Sequence, residues 1–307
     1  MKNLLTSITL NMMQLSSRLF PVRFLPKFQL KLYLMFLFKY NQGYRFDIDH
    51  PRSFNEKLQW YMLNYSDERM LECADKLEFK SYVKKRTGKD LSPKTLGVWT
   101  DLASLEKDWE SLPRQFCLKS NCMGQNTGVI IITDKEDICF DAIRPRVRNW
   151  LKKNYTLANS ICKAYWKFTP KIFAEEYIGR DNSLVDYKFY CFDGKPYCSN
   201  ATTRVFRDGK ILDAGIAYYD NDWNVLDGNV AGRPRKVVEK PACLEEMLDI
   251  AAKLSSGFPF IRVDLYCIGQ RIYTGEIEFF PGGGHGKYEP FAFDLELGAQ
   301  FVLPQGK

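Results

Sequence analysis

The first third of the chain carries apolar positions at helical spacing, bounded by helix-capping residues. Ser53 stands three residues before Glu56, which is the capping-box pattern that begins a helix, and the apolar period continues to about Leu63. A second helix is predicted over 76–87, because Asp75 precedes it and Gly88 follows it. Residues 1–46 are basic and apolar, and they are expected to be helical as well.

Further along the chain the period of the apolar positions changes to that of strands. Asp193-Gly194 separates two of these runs and suits a tight hairpin turn, and helices are predicted over 141–154 and 244–255. Residues 202–235 are rich in Gly, Asp, Asn and Arg and are expected to be irregular. Helices mixed with antiparallel strands predict an α+β fold with two lobes. The predicted strands are 115–120, 128–133, 171–178, 187–192, 195–200, 260–267 and 271–280.

The last predicted hairpin carries four charged residues at alternate positions. Arg262 and Asp264 share one face of the first strand, and Glu276 and Glu278 share one face of the second. Three carboxylates on one surface repel one another unless a hard cation such as Mg²⁺ lies among them. The alternative is a solvated acidic face with Arg262 as its ion-pair partner. The apolar opposite face of both strands favours a hairpin that is buried on one side and lines a site on the other.

The length of the turn decides whether these residues share one face of the hairpin. A two-residue turn at Gly269-Gln270 places Asp264 opposite Gly275 and turns the glutamates to the other face. A three-residue turn places Arg262 opposite Glu276, with Asp264 diagonal to it.

Composition and charge narrow the classes of protein to consider. The chain has 307 residues and a net charge of +7, and residues 1–46 carry seven basic side chains and no acidic one. The rest of the chain is balanced, so no basic stripe for nucleic acid is expected on the body. The nine cysteines are scattered and there are only two histidines, which disfavours a zinc site and predicts nine reduced thiols in a cytoplasmic protein.

The basic N-terminal segment has two interpretations. The apolar stretch 30–38 is too short to cross a bilayer. Residues 1–46 either pack as a helix on the N-terminal lobe, or residues 1–27 lie on the cytoplasmic face of the inner membrane, where anionic lipid attracts lysine and arginine. The expected location is therefore cytoplasmic, with peripheral membrane contact as the second interpretation.

Six segments of the chain, in this order, match the motifs of one known family: 51–60, 74–76, 116–119, 174–178, 186–189, and 258–266 with 275–279. They resemble the ATP-grasp superfamily of carboxylate–amine ligases, and within it the TupA-like branch of teichuronopeptide-synthesis type. The resemblance covers about residues 28–300 and implies two α+β lobes that clamp a nucleotide. It divides the chain into a helical N-terminal region 1–74, a first lobe 75–170 and a second lobe 171–307.

The resemblance also implies the cofactors, ATP and Mg²⁺, and the residues that hold them. Arg262 would face an acyl phosphate, Lys119 would act with it in catalysis, and Asp186 would bind the ribose. The branch commonly reads His-Gly-Ser-Gly in the phosphate loop, where this chain has Cys-Met-Gly-Gln at 122–125. The implied nucleotide-binding residues are Lys76, Lys119, Glu175, Glu176, Ile178, Asp186 and Lys188, and the implied metal ligands are Asp264, Glu276 and Glu278.

The function implied by the resemblance is ATP-dependent joining of a carboxylate to an amine, on a small molecule or on a bacterial surface polysaccharide or its precursor. Residues 202–235 would then close as a lid over the nucleotide. The leading alternative is a glycosyltransferase, because the Asp-x-Asp triplets 47–49 and 220–222 are of the kind that bind a metal and a sugar nucleotide. A non-catalytic copy of the fold and a kinase on the same scaffold are the remaining alternatives.

Overall fold

The computed structural model describes residues 24–123, 125–152, 160–179, 183–207 and 210–305. The predicted membrane contact of residues 1–27 lies almost wholly outside these ranges. Among the described helices, none combines the length and the apolar content that crossing a bilayer requires. The N-terminal helices are α1 (Lys27–Gln42), α2 (Phe54–Asn64), α3 (Arg69–Ala74) and α4 (Glu78–Thr87).

Local side-chain caps set where two of these helices begin. The capping box is confirmed, because the Ser53 hydroxyl accepts the Glu56 N–H and the Glu56 carboxylate accepts the Ser53 N–H, both at 3.3 Å. Helix α4 begins two residues later than predicted. The Asp75 carboxylate accepts the N–H groups of Leu77 and Glu78, and so it closes a turn before the helix proper.

The first sheet is four-stranded and antiparallel, in the order β1-β4-β2-β3. Helices α5 (Leu102–Asp108) and α6 (Phe140–Trp150) pack on the face that carries Leu118 and Ala174. The opposite face carries Lys119 and Glu175, because successive side chains alternate across a sheet. The strands are β1 (Thr95–Trp99), β2 (Phe116–Ser120), β3 (Val129–Ile132) and β4 (Ile172–Glu176).

The second sheet is five-stranded, in the order β10-β9-β5-β6-β7. Helix α7 (Leu244–Ser255) packs on it, and α8 (Phe291–Gln300) lies against α2. A short pair, β8 (Asn229–Val230) with β11 (Tyr288–Glu289), completes the strands of the described residues. The sheet strands are β5 (Ser183–Phe192), β6 (Lys195–Arg207), β7 (Lys210–Tyr219), β9 (Phe260–Ile268) and β10 (Arg271–Glu278).

The expectation that residues 202–235 are irregular is wrong for their first half. Residues 202–207 continue β6, and 210–219 form β7, which pairs with β6 along its length. The two intervening residues are Asp208 and Gly209, the same dipeptide that indicated the preceding hairpin. The side chains of Arg204 and Arg207 are outside the described part of the chain. Closure of this segment as a lid stays a prediction.

Helices α2 to α4 share the core of the second sheet, whereas α1 packs in a separate cluster with Phe46 and Ile48. Phe54 and Tyr61 of α2 are fully buried, and Phe54 packs edge-on against Phe260 of β9 with ring centroids 4.9 Å apart. Strand β4, the predicted hinge strand, is hydrogen-bonded into the first sheet. The domain boundaries at residues 75 and 171 stay predictions.

The expectation of nine reduced thiols is wrong for two of the cysteines. Cys243 stands at the start of α7, and packing of that helix on β9 brings it to Cys267, with which it forms a disulfide bond. Nothing in their spacing of 24 residues indicates the pairing. The other seven cysteines, all within the described ranges, are not disulfide-bonded.

Candidate functional site

A β-bulge in the last hairpin brings its four charged residues onto one face. The turn between β9 and β10 has two residues, as in the first of the two predicted registers. The register then shifts at Gly275, so that Glu276 lies opposite Asp264 and Glu278 lies opposite Arg262. Neither predicted register is therefore right in full, because one extra residue in β10 turns the glutamates back to the face of Asp264.

Asp264, Glu276 and Glu278 form the candidate metal site. Each offers a carboxylate oxygen, and these oxygens lie within 4.8 Å of one another. Arg262 holds Asp264 through two parallel hydrogen bonds of 2.7 Å, from Nε to Oδ1 and from Nη2 to Oδ2, and it also pairs with Glu278. This donor set, three carboxylates on one face of the hairpin, fits the oxygen coordination that Mg²⁺ prefers.

The three carboxyl groups differ in how burial and neighbouring cations shift their pKa. Burial would raise the pKa of Asp264, but the charges of Arg262 and Lys188 outweigh it and lower that pKa. The pKa of Glu276 is likewise lowered against the effect of burial, chiefly by Lys76. For Glu278 the burial prevails over Arg262, and its pKa is raised. Asp264 and Glu276 are therefore the ligands best held in the ionised form.

Lys188 and Asp186 adjoin this cluster from strand β5. The Lys188 Nζ lies 2.6 Å from Asp264 Oδ2 and also pairs with Asp186. Burial alone would lower the pKa of Lys188, but the negative charges of Asp264 and Asp186 outweigh it and raise that pKa. Asp186 thus lies at the metal end of the site, and its implied contact with a ribose stays a prediction.

On the first sheet, two lysines hold the carboxylate of Glu175. Lys119 pairs with one oxygen, and Lys80 of α4 lies 3.0 Å from the other. Lys80 also donates to the Pro93 carbonyl oxygen at 2.7 Å and to Thr95 Oγ1 at 2.8 Å. Burial would raise the pKa of Glu175, but both lysines together lower it. Sequence reasoning missed Lys80, because its pairing with Glu175 joins segments far apart in the chain and no local pattern indicates it.

Lys76 connects the two sheets. Its Nζ donates to the Met123 carbonyl oxygen at 2.9 Å, in the predicted phosphate loop, and lies 3.2 Å from Glu276 Oε2. Residue 124 of that loop lies outside the described residues. A narrow cavity of about 10 Å³ lies between the sheets and is lined by residues that include Lys76, Lys80, Lys119, Phe173, Glu175, Thr274 and Gly275.

The two remaining predicted residues lie at the end of β4. The Glu176 N–H donates to the Lys94 carbonyl oxygen at 2.9 Å. The Glu176 side chain points away from Glu175 and lines a second cavity of about 540 Å³. Ile178 lies two residues beyond the end of the strand and is partly exposed. The structure thus brings together Lys76, Lys119, Glu175, Asp186, Lys188, Arg262, Asp264, Glu276 and Glu278, and it places Glu176 and Ile178 at the outer edge.

Comparison with solved structures gives distant relatives. One is D-alanine–D-alanine ligase from Bacillus anthracis, with 22% identity over 73% of this chain and 64% of that chain, and a TM-score of 0.41. The same enzyme from Helicobacter pylori gives 16% identity, 81% and 68% coverage, and a TM-score of 0.44. N5-carboxyaminoimidazole synthetase from Staphylococcus aureus, complexed with ADP, gives 13% identity, 78% and 54% coverage, and a TM-score of 0.43.

The chain thus spans about two thirds or less of the length of these structures. Comparison with curated protein sequences gives no match. The model of the TupA-like ATP-grasp family, in contrast, matches residues 56–302. That range includes every predicted site residue and most of the chain, and it confirms the α+β ATP-grasp fold. The chain therefore belongs to the TupA-like ATP-grasp family.

Proposed function

We propose that this protein is an ATP-dependent carboxylate–amine ligase that works through an acyl phosphate. The observation that carries the proposal is the contact of Lys76 with both the phosphate loop and Glu276, beside the carboxylates of Asp264 and Glu278. Cations on one side and metal-binding carboxylates on the other are what a Mg²⁺-bound triphosphate requires.

The reaction needs activation of a carboxylate, because an amine does not displace its oxygen at neutral pH. In the first step a carboxylate oxygen attacks the γ-phosphorus of ATP, an O–P bond forms, and the bond to the leaving ADP breaks. In the second step the amine nitrogen attacks the acyl carbon, phosphate leaves, and the nitrogen loses a proton. Both steps move negative charge onto phosphate oxygens, which Lys76, Lys119 and Arg262 are placed to neutralise.

Mg²⁺ would be held by Asp264, Glu276 and Glu278, and it supplies charge neutralisation and orientation of the phosphates. The chain's own residues prepare this site. Arg262 and Lys188 keep Asp264 ionised and fixed, since each donates to its carboxylate. With ATP and Mg²⁺ bound, Lys119 would turn from Glu175 toward the phosphates. Lys80 would then remain as the partner of Glu175.

The glycosyltransferase alternative is disfavoured by the local geometry of both Asp-x-Asp triplets. Asp220 Oδ1 accepts the N–H groups of Asp222 and Asn224, at 3.0 and 2.8 Å. Asp47 Oδ1 likewise accepts the Asp49 N–H at 3.0 Å. These first aspartates are therefore engaged as turn-forming residues, a role typical of aspartate in loops.

The proposed substrate is a carboxylate and an amine on a bacterial surface polysaccharide or its precursor, and the proposed location is the cytoplasmic face of the inner membrane. Helix α1 supports the location, because it contains Lys27, Lys31 and Lys39 and no acidic residue. Phe28 and Leu32 of the same helix are 63% and 61% exposed. Flotation of the full chain with anionic vesicles tests it, with Phe28→Ser as the variant. Equal flotation of both proteins, or none at low salt, would rule out this contact.

The ligase proposal is tested by nucleotide binding followed by product analysis. Titration calorimetry should show ATP binding that depends on Mg²⁺, whereas UDP-sugars should not bind. Mass spectrometry of the surface glycan from a deletion strain should then show loss of an amide-linked group. Absence of ATP binding, or binding of a UDP-sugar in its place, would contradict the proposal.

A further inference from the structure

We propose that Asp75 and Asn121 are positioning residues, which fix Lys76 and Lys119 relative to each other. The inference rests on the proposed function, because it assigns to these two lysines the phosphates of ATP. Asp75 and Asn121 bind each other and neighbouring backbone groups, and neither is proposed to touch the nucleotide.

Asn121 ties together three segments of the chain. Its Nδ2 donates to Asp75 Oδ2 at 2.6 Å and to the Thr169 carbonyl oxygen at 3.1 Å, while its Oδ1 accepts the Lys171 N–H at 2.7 Å. The side chain is completely buried, so these bonds are made without competition from water. This one amide group therefore holds together the end of β2, the start of β4 and the segment before α4.

Asp75 divides its carboxylate between two tasks. Oδ1 accepts the N–H groups of Leu77 and Glu78 and begins α4, whereas Oδ2 accepts from Asn121. The backbone adds a further bond, since the Lys76 N–H donates to the Asn121 carbonyl oxygen at 3.0 Å. The backbone of Lys76 is thus held against the residue that stands two positions after Lys119.

The backbone attachment of Lys76 to Asn121 helps to set where the ammonium group of Lys76 lies. The Lys76 Nζ reaches the Met123 carbonyl oxygen at 2.9 Å and Glu276 Oε2 at 3.2 Å, so its ammonium group stands between the phosphate loop and the metal ligands. Capping of α4 requires only Oδ1 of Asp75. The second oxygen instead sets the position of Lys76, and a misplacement of about 1 Å at such a group costs on the order of 100-fold in rate.

Asp75→Asn separates the two tasks of the carboxylate. The variant keeps an oxygen that can cap α4, but it places an amide nitrogen against the amide nitrogen of Asn121, where neither can accept. We expect the affinity for the ATP analogue AMP-PNP with Mg²⁺ to fall at least ~10-fold. The affinity for AMP, which lacks the β- and γ-phosphates, should change by less than ~2-fold. Asn121→Asp, which sets two carboxylates against each other, should act in the same direction.

Asp101→Asn is the matched control for loss of a helix cap. Asp101 caps α5 by accepting the Ser104 N–H at 2.8 Å, and it lies on the surface. Its variant should bind AMP-PNP as the wild type does. If Asp75→Asn and Asp101→Asn bind AMP-PNP equally well, Asp75 has no positioning role.

A second experiment asks whether Asp75 acts through Lys76. In a Lys76→Met background the Asp75→Asn change should weaken AMP-PNP binding by less than ~2-fold, because the group that it positions is already absent. An undiminished effect would show general structural damage and overturn the inference. Failure of the wild type to bind AMP-PNP would instead overturn the proposed function, and the inference with it, so the two failures are distinguishable.

Discussion

Glu276 lies directly opposite Asp264 across the hairpin of β9 and β10, although a regular ladder from the two-residue turn would place Gly275 there. The bulge at Gly275 is what creates the three-carboxylate face. A Cβ atom at this position would stand 3.0 Å from Tyr266 Cε2 and 3.2 Å from the Asp264 carbonyl oxygen. Both contacts are shorter than ordinary van der Waals distances, so the bulge favours a residue without a side chain.

Gly275→Ala should therefore disturb the metal ligands directly. We expect a loss of about 1–3 kcal/mol in the free energy of unfolding, typical of overpacking, and weaker Mg²⁺-dependent binding of AMP-PNP. Gly286→Ala is the control, because a Cβ atom there has open space around it. Denaturant titration and calorimetry measure both effects. Equal stability and equal Mg²⁺ dependence in the two variants would show that the bulge tolerates a side chain.

The positions of the four charged residues were predictable from the sequence, but their register was not. Alternation along a strand shows that Arg262 and Asp264 share a face, whereas a bulge depends on how β10 packs against β9. The pairs of Glu175 with Lys80 and of Cys243 with Cys267 join segments far apart in the chain, so no local pattern indicates them. The β6–β7 hairpin was predictable from Asp208-Gly209, a dipeptide that suits a tight hairpin turn.

Lys80→Met tests the lysine that sequence reasoning missed. The change leaves Lys119 as the sole lysine on the nearly buried Glu175 carboxylate, so we expect the pKa of Glu175 to rise and the protein to lose about 1–3 kcal/mol of stability at pH 7. Lys84→Met, at an exposed position one turn further along the same helix, is the control. Urea titrations measure the difference. Identical midpoints for the two variants would show that Lys80 does not support Glu175.

The buried carboxyl group of Asp294 should make the free energy of unfolding change with pH. Burial raises its pKa to about 6, and the hydrogen bond from the Asn55 N–H opposes this only in part. The native protein then binds the proton more tightly than the unfolded chain between about pH 4 and pH 6. The free energy of unfolding should therefore fall as the pH rises through that window, by about 3 kcal/mol from this group alone.

Asp294→Asn should remove this component, because the amide oxygen still accepts the Asn55 N–H and carries no charge. The variant should be more stable than the wild type at pH 7 and of similar stability near pH 4. Asp249→Asn, at an exposed ion pair with Lys253, serves as the control. A wild type and an Asp294→Asn variant whose stabilities run parallel from pH 4 to pH 7 would refute the assignment.

Calorimetric titration of AMP-PNP with and without Mg²⁺ asks whether Asp264 and Glu276 hold the Mg²⁺ that accompanies ATP. The wild type should bind much more tightly with Mg²⁺. Asp264→Asn and Glu276→Gln should lose this dependence, with turnover reduced on the order of 100–1000-fold and with circular dichroism unchanged. Mg²⁺-dependent binding at the wild-type level in either variant would show that the substituted carboxylate is not a ligand of Mg²⁺.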